Sequence, residues 1–203
     1  LCAPLFHQFQ LKSTIRGEGD MLPQRNILAG PSQTPLEVET QMRLALYQPD
    51  IPQNLGTLIR LGACLDVPLD IVEPCGFPFG DRSLKRAAMD YAAAASITRH
   101  ASWAAFCRAR GGARLVLLTT KATTPYQDFA FEPDDCLLVG SESSGVPETV
   151  HAEADHRLCI PMKPGLRSLN VAIAAAMVVG EALRQTRALA AYDSHSLRDT
   201  PHG

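Results

Sequence analysis

The sequence predicts an α/β fold, a parallel sheet flanked by helices. Three observations predict it. From Met42 onward, short apolar runs of strand length alternate with longer runs of helical period. Capping side chains or glycines punctuate the helical runs. Proline- and glycine-shaped loops follow the strands, where parallel sheets bind their ligands. There is no internal repeat.

The elements follow in order. Residues 44–47 form a strand, and Pro49-Asp50-Ile51-Pro52-Gln53-Asn54 a rigid loop. Asn54 is placed to cap a helix running through Leu55, Leu58, Ile59, Leu61 and Leu65. A second strand, 69–73, ends in the turn Pro74-Cys75-Gly76-Phe77. Asp81 caps a helix over 82–90, and 96–99 is a short strand. Ser102 caps a helix to about Arg110, where Gly111-Gly112 stops it. Strands at 114–119 and 136–139 are separated by a loop holding Pro125, and the loop 140–147 precedes a short helix. The last unit, 158–185, is a strand, a loop with Pro164 and Gly165, and a helix with nine apolar residues in succession from Val171 to Val179. Ser168 stands as its N-cap. A helix apolar all round is buried inside the fold or in a subunit interface, and nine residues cannot span a bilayer, which needs about 20.

A chain of 203 residues, 46% apolar, is long enough for one compact domain with a real core. That domain is placed at 42–189. Residues 1–41, with four prolines and no sustained periodicity, read as a poorly ordered extension with Met42 as the candidate natural start, and 190–203 read as a polar tail. The six cysteines include no C-x-x-C pair and several lie in apolar runs, which fits reduced, buried thiols in a cytoplasmic protein. Neither they nor the histidines have metal-ligand spacing. Net charge is −2, and opposite charges balance between 42 and 189. Any nucleic-acid contact must therefore come from local clusters.

Several signatures are missing. No G-x-G-x-x-G follows the first strand and no G-x-x-x-x-G-K-[ST] occurs, which argues against Rossmann and P-loop sites. Ser141-Glu142-Ser143-Ser144-Gly145 comes near a G-x-S-x-G nucleophile elbow, but Ser141 stands where the first glycine should be. With His151 as base, a serine hydrolase is a distant alternative that lacks its oxyanion-hole motif. The backbone-rich loops 49–60, 140–147 and 161–170 suit recognition of a flat heterocycle, with Leu118, Ile160 and Met162 as apolar faces.

Three segments carry a resemblance. PDIPQNLGTLIRLGA (49–63) with IVEPCGFPFGDRSLKRAAMDY (71–91), LLVGSESSGVP (137–147) and CIPMKPGLRSLNVAIAAAMVVGEALRQ (159–185) resemble, in order, the three motif regions of the SPOUT superfamily. The combination of P-x-I-P-x-N, K-R-A-x-x-D-Y and I-P-M…R-S-L-N is most similar to the TrmL-type tRNA (cytidine/uridine-2′-O)-methyltransferases, over residues 42–188. Gly165-Leu166 before Arg167 departs from the more polar residues that relatives often carry there.

The resemblance implies a C-terminal trefoil knot forming an S-adenosyl-L-methionine pocket, and a homodimer whose active site draws on both subunits. It implies methylation of the ribose 2′-hydroxyl of the wobble nucleotide, position 34, in tRNA leucine. Another tRNA or rRNA ribose is the alternative within the class, and a non-catalytic RNA-binding protein the alternative outside it. By the same resemblance Leu118, Gly140, Ile160, Met162 and Ser168 hold the cofactor, while Asn54, Arg60, Glu142, Ser168 and Asn170 form the catalytic set. Core packing explains Leu118 and Ile160 equally well, turn geometry Gly140, and helix capping Asn54 and Ser168. A guanidinium is a poor general base, so Arg60 is read as gripping phosphate or ribose and stabilising the developing alkoxide. Six residues beyond Asn54, it faces away from that cap unless the partner subunit receives it. Lys85, Arg86, Lys163 and Arg167 are the candidate RNA contacts, with a solvated helix face as the plain alternative for the first two.

Overall fold

The structure, a computed structural model, describes residues 41–78 and 82–186. The proposed extension (residue 41 apart), the polar tail and the Asp81 cap lie outside the described residues, as do the side chain of Lys85 and the chain beyond Thr186.

Seven strands form one sheet in the order β3-β2-β1-β6-β4-β7-β5, every neighbouring pair parallel. They are β1 (Arg43–Tyr47), β2 (Leu69–Val72), β3 (Ile97–His100), β4 (Leu115–Leu118), β5 (Thr124–Pro125), β6 (Cys136–Val139) and β7 (His156–Cys159). The helices are α1 (Pro52–Leu65), α2 (Arg82–Ala88), α3 (Trp103–Arg110), α4 (Glu148–Glu153) and α5 (Val171–Thr186). The segment read as one helix over 82–90 is α2 followed by a 3₁₀ turn, Met89–Ala93. The edge strand β5 has no counterpart in the sequence reading, where Pro125 marked only a loop. At an edge, the missing proline N–H leaves no ladder bond unmade.

Both faces of the sheet are covered, and the two-residue period sorts the side chains between them. Leu44, Leu46, Val116, Leu137 and Val139 point to one core with Leu55 and Leu58 of α1 and Val178 and Val179 of α5. Ala45, Leu115, Leu117, Cys136 and Leu138 point to the other, with Phe106 of α3 and Val150 of α4. Charge also enters the sheet. Buried Asp70 accepts from Arg43 Nε and Nη2 at 2.6 and 2.7 Å and lies 2.6 Å from His100 Nε2, so one satisfied carboxylate ties three neighbouring strands.

Two caps sit elsewhere than the sequence placed them. Helix α1 starts at Pro52, a residue suited to the first helical position because its missing N–H needs no partner there. Asn54 is thereby carried into the first turn, buried, instead of capping it. Helix α5 is capped by Asn170, whose Oδ1 accepts from the N–H groups of Ala172 (2.9 Å) and Ile173 (3.3 Å), and not by Ser168. Ser102 does cap α3, accepting from the Ala105 N–H at 3.2 Å.

The apolar run 171–179 is also not buried all round within the chain. Ile173 is 56% and Met177 38% exposed, one turn apart, and Leu166 and Leu169 in the preceding loop are 66% and 41% exposed. Of the five described cysteines, all unpaired, only Cys136 is buried, and its surroundings push its thiol up to about 12. Among the described residues no helix is long and apolar enough to cross a membrane.

Candidate active site

At the carboxyl ends of β1, β6, β4 and β7 the loops surround a cleft of about 520 Å³, a size suited to one small organic ligand. The position is a switch point: from β1 the chain runs outward through β2 to β3, then crosses to the far side to place β4, β6 and β7.

The loop after β6 is folded back on itself. Ser141 and Gly145 exchange two backbone hydrogen bonds, at 3.0 and 2.9 Å. Gly145 adopts φ +69°, a left-handed conformation that glycine tolerates without strain. Gly140 lies so close to this return limb that a Cβ would come within 2.5 Å of the Gly145 carbonyl carbon. This loop forms the floor of the cleft, its tight return set by Gly140 and Gly145. Leu118, Ile160 and Met162 supply half-buried apolar walls.

A directed chain of hydrogen bonds links the start of α5 to this loop. Asn170, whose oxygen caps α5, donates from Nδ2 to Asn54 Oδ1 at 2.9 Å. Asn54 donates in turn from Nδ2 to Glu142 Oε1 at 2.9 Å. Glu142 Oε2 accepts the backbone N–H of Asp50 at 3.0 Å. Each amide is fixed in orientation because its oxygen and nitrogen have different partners. Burial pushes the Glu142 carboxyl above its ordinary value, and the neighbouring Asp50 carboxyl adds to that; Asp50 is held low by hydrogen bonding to Glu142 and Ser143.

Eight sequence-derived site residues thus meet at this cleft: Asn54, Glu142, Ser168, Asn170, Leu118, Gly140, Ile160 and Met162. Arg60 does not. It is exposed on the far side of α1, its guanidinium 5.2 Å from the centre of the Tyr91 ring. Lys163 and Arg167 are exposed on the loop between β7 and α5 without lining the cleft, and Arg86 is exposed on α2. Ser143 donates its hydroxyl to Asp50, not to His151, so the elbow-like run does not assemble a hydrolase triad.

Four polar lining residues outside the loops named from the sequence escaped it, in themselves or in their role: Thr119, Thr120, Lys121 and His151. Burial, with Lys121 nearby, holds the His151 imidazole below its ordinary value. The first three directly follow β4, at the carboxyl end of a parallel strand, which was the available signal.

A parallel sheet covered on both faces, with a cleft at its switch point rimmed by two oriented amides and a carboxylate, is the architecture of an α/β enzyme. The chain belongs to the SpoU rRNA methylase family, whose model matches residues 41–180. A relative from Beijerinckia indica, named tRNA (cytidine(34)-2′-O)-methyltransferase, is 62% identical over 149 residues, which are 72% of this chain and 93% of the relative. A solved structure described as giving insights into the 2-OH methylation of C/U34 on tRNA has a TM-score of 0.69 and 40% identity, covering 72% of this chain and 96% of its own. The SpoU methyltransferase AviRb of Streptomyces viridochromogenes, solved with its cofactor AdoMet, has a TM-score of 0.64 at 26% identity, covering 72% of this chain and 60% of its own.

Proposed function

We propose that the protein is a cytoplasmic, S-adenosyl-L-methionine-dependent methyltransferase acting on the ribose 2′-hydroxyl of the wobble nucleotide of tRNA leucine, a cytidine or a modified uridine. The observation that carries this is the convergence of three separate loops on one cleft, joined by the Asn170–Asn54–Glu142 chain. Relatives named for cytidine 34 support the choice of nucleotide.

The cleft fits the cofactor. The tight 140–145 turn, with Gly140 where a Cβ would strike the Gly145 backbone, brings main-chain groups to the cleft to meet a nucleobase edge, and Leu118, Ile160 and Met162 flank its faces. Bound there, the cofactor supplies an electrophilic methyl group on a sulfonium. This chain's residues then have three tasks. The apolar walls exclude water, which favours a reaction that disperses charge. Asn54 and Asn170, locked by their partners, orient the ribose, since alignment of oxygen with methyl is a large part of such a barrier. Arg60 grips the RNA and stabilises the negative charge that develops on the attacking oxygen.

Arg60 meets that task across a homodimer interface, for it faces away from its own cleft. The apolar stripe of Leu166, Leu169, Ile173 and Met177, beside the cleft, is the surface this dimer would cover. The knotted passage of α5 belongs to the same proposal and rests on the family match. Lys85, Arg86, Lys163 and Arg167 are assigned to phosphate contacts.

Two measurements test this. Methyl-labelled S-adenosylmethionine is expected to label bulk tRNA, and selective removal of the leucine isoacceptors is expected to remove the label. Label that persists would move the substrate to another RNA. Ile173→Asp, which places a charge in the apolar stripe, is expected to shift the protein from dimer to monomer in light scattering and to lose methylation. A dimer that survives would place the interface elsewhere.

A further inference from the structure

We propose that Asp50, which does not line the cleft, is the positioning residue that sets the carboxylate of Glu142. The inference rests on the methyltransferase reading of that cleft.

Asp50 and Glu142 lie 92 residues apart in the chain and clasp each other reciprocally. The Asp50 N–H donates to Glu142 Oε2 at 3.0 Å, and the Glu142 N–H donates to Asp50 Oδ1 at 3.2 Å. The second Asp50 oxygen accepts both the backbone N–H of Ser143, at 3.2 Å, and the Ser143 hydroxyl. Both of its carboxylate oxygens are thus engaged by the loop after β6, and Asp50 does not line the cleft. Asp50 acts on the reaction only through Glu142.

The anchor itself is held from behind. The Gly76 N–H donates to Pro49 O at 3.0 Å, and a Cβ on Gly76 would fall 2.7 Å from that of Asp50. Pro49 and Pro52 restrict the backbone on either side. A rigid aspartate in the first motif loop therefore fixes the second motif loop, and Glu142 passes that order to Asn54 and Asn170. Among the described residues, Asp50 and Asn54 are the side chains that act on the Glu142 carboxyl.

Asp50→Asn tests the assignment, because an amide has one acceptor oxygen where the carboxylate has two, so either the Glu142 N–H or Ser143 loses its acceptor, and it carries no charge toward Glu142. Compared with wild type at saturating cofactor and tRNA, single-turnover methylation is expected to fall about 10²-fold, the scale of a small misplacement of reacting groups. The sign of the pH effect follows from the charge. The Asp50 carboxyl raises the Glu142 pKa, so its removal moves the acid limb of the rate profile to lower pH. Carbon-13 NMR titration of the Glu142 carboxyl is expected to move the same way, with neither cofactor nor RNA present. Wild-type rate with an unmoved limb would overturn the proposal. So would a loss of rate with both the limb and the NMR titration unmoved, since a merely structural aspartate would do that. If Asp50→Asn does not fold, Ser143→Ala decides in its place, with an expected loss of about 2–10-fold, one hydrogen bond's worth; wild-type rate there overturns the proposal. An inactive wild type would instead overturn the methyltransferase reading, while the NMR titration still judges Asp50.

Discussion

Gly140→Ala is expected to weaken S-adenosylmethionine binding at least about 10–100-fold while leaving the sheet folded. The added methyl group would lie 2.5 Å from the Gly145 carbonyl carbon and 2.7 Å from its Cα. These are backbone atoms, not the end of a flexible side chain, so something must move. The least costly movement opens the loop and breaks the two Ser141–Gly145 hydrogen bonds, each worth about 1 kcal/mol net. Those bonds hold the cleft floor in shape, and in the proposed function that floor meets the cofactor's nucleobase. Gly140 immediately follows β6, whose four residues are all buried, so the damage stops at the strand end. Calorimetry against the cofactor, with far-ultraviolet circular dichroism as the control for folding, checks this. Binding at wild-type affinity would mean that the loop relaxes freely and does not shape the site.

Arg60→Ala is expected to give the opposite separation. Methylation of tRNA should fall about 10²–10³-fold, as when a donor to a developing oxyanion is removed, while cofactor affinity stays unchanged because Arg60 does not touch its own cleft. Arg60→Lys should recover little, since a point charge does not replace a planar fork. In the single chain the guanidinium sits over Tyr91, and both are exposed. If the arginine serves the partner's cleft, mixed dimers of Arg60→Ala with Asn170→Ala will regain activity, because one of their two sites combines an intact Arg60 with an intact Asn170. Mixed dimers as inactive as their parents would place Arg60 in its own subunit's site.

The strands were readable because each is a short apolar run inside a repeating strand–helix order, and the register of the parallel sheet follows once their faces are sorted. The loops were readable only in part. Asn54 and Ser168 have the side chains of caps, yet proline at the first position of α1 and Asn170 before α5 settle where the helices begin. Once freed from capping, Asn54 is available to bridge Asn170 and Glu142, and no local pattern shows that bond. Asp50 escaped notice for the same reason, since its partners lie 92 and 93 residues away. The run 171–179 shows how far hydropathy reaches. It marks a helix shielded from water, but Ile173 and Met177 remain exposed on the single chain. Apolarity alone does not distinguish the interior from a surface that a second copy covers. The buried Arg43–Asp70–His100 contact was equally invisible, as it exists only when β1, β2 and β3 lie side by side.

The proposed reaction places one methyl group on one oxygen of one nucleotide. Nucleoside mass spectrometry of tRNA leucine, after incubation with the protein and methyl-labelled S-adenosylmethionine, reads reaction and position together. Label is expected in 2′-O-methylcytidine or a 2′-O-methyluridine derivative at position 34. Label on a base, or the absence of label from every RNA offered despite bound cofactor, would contradict it.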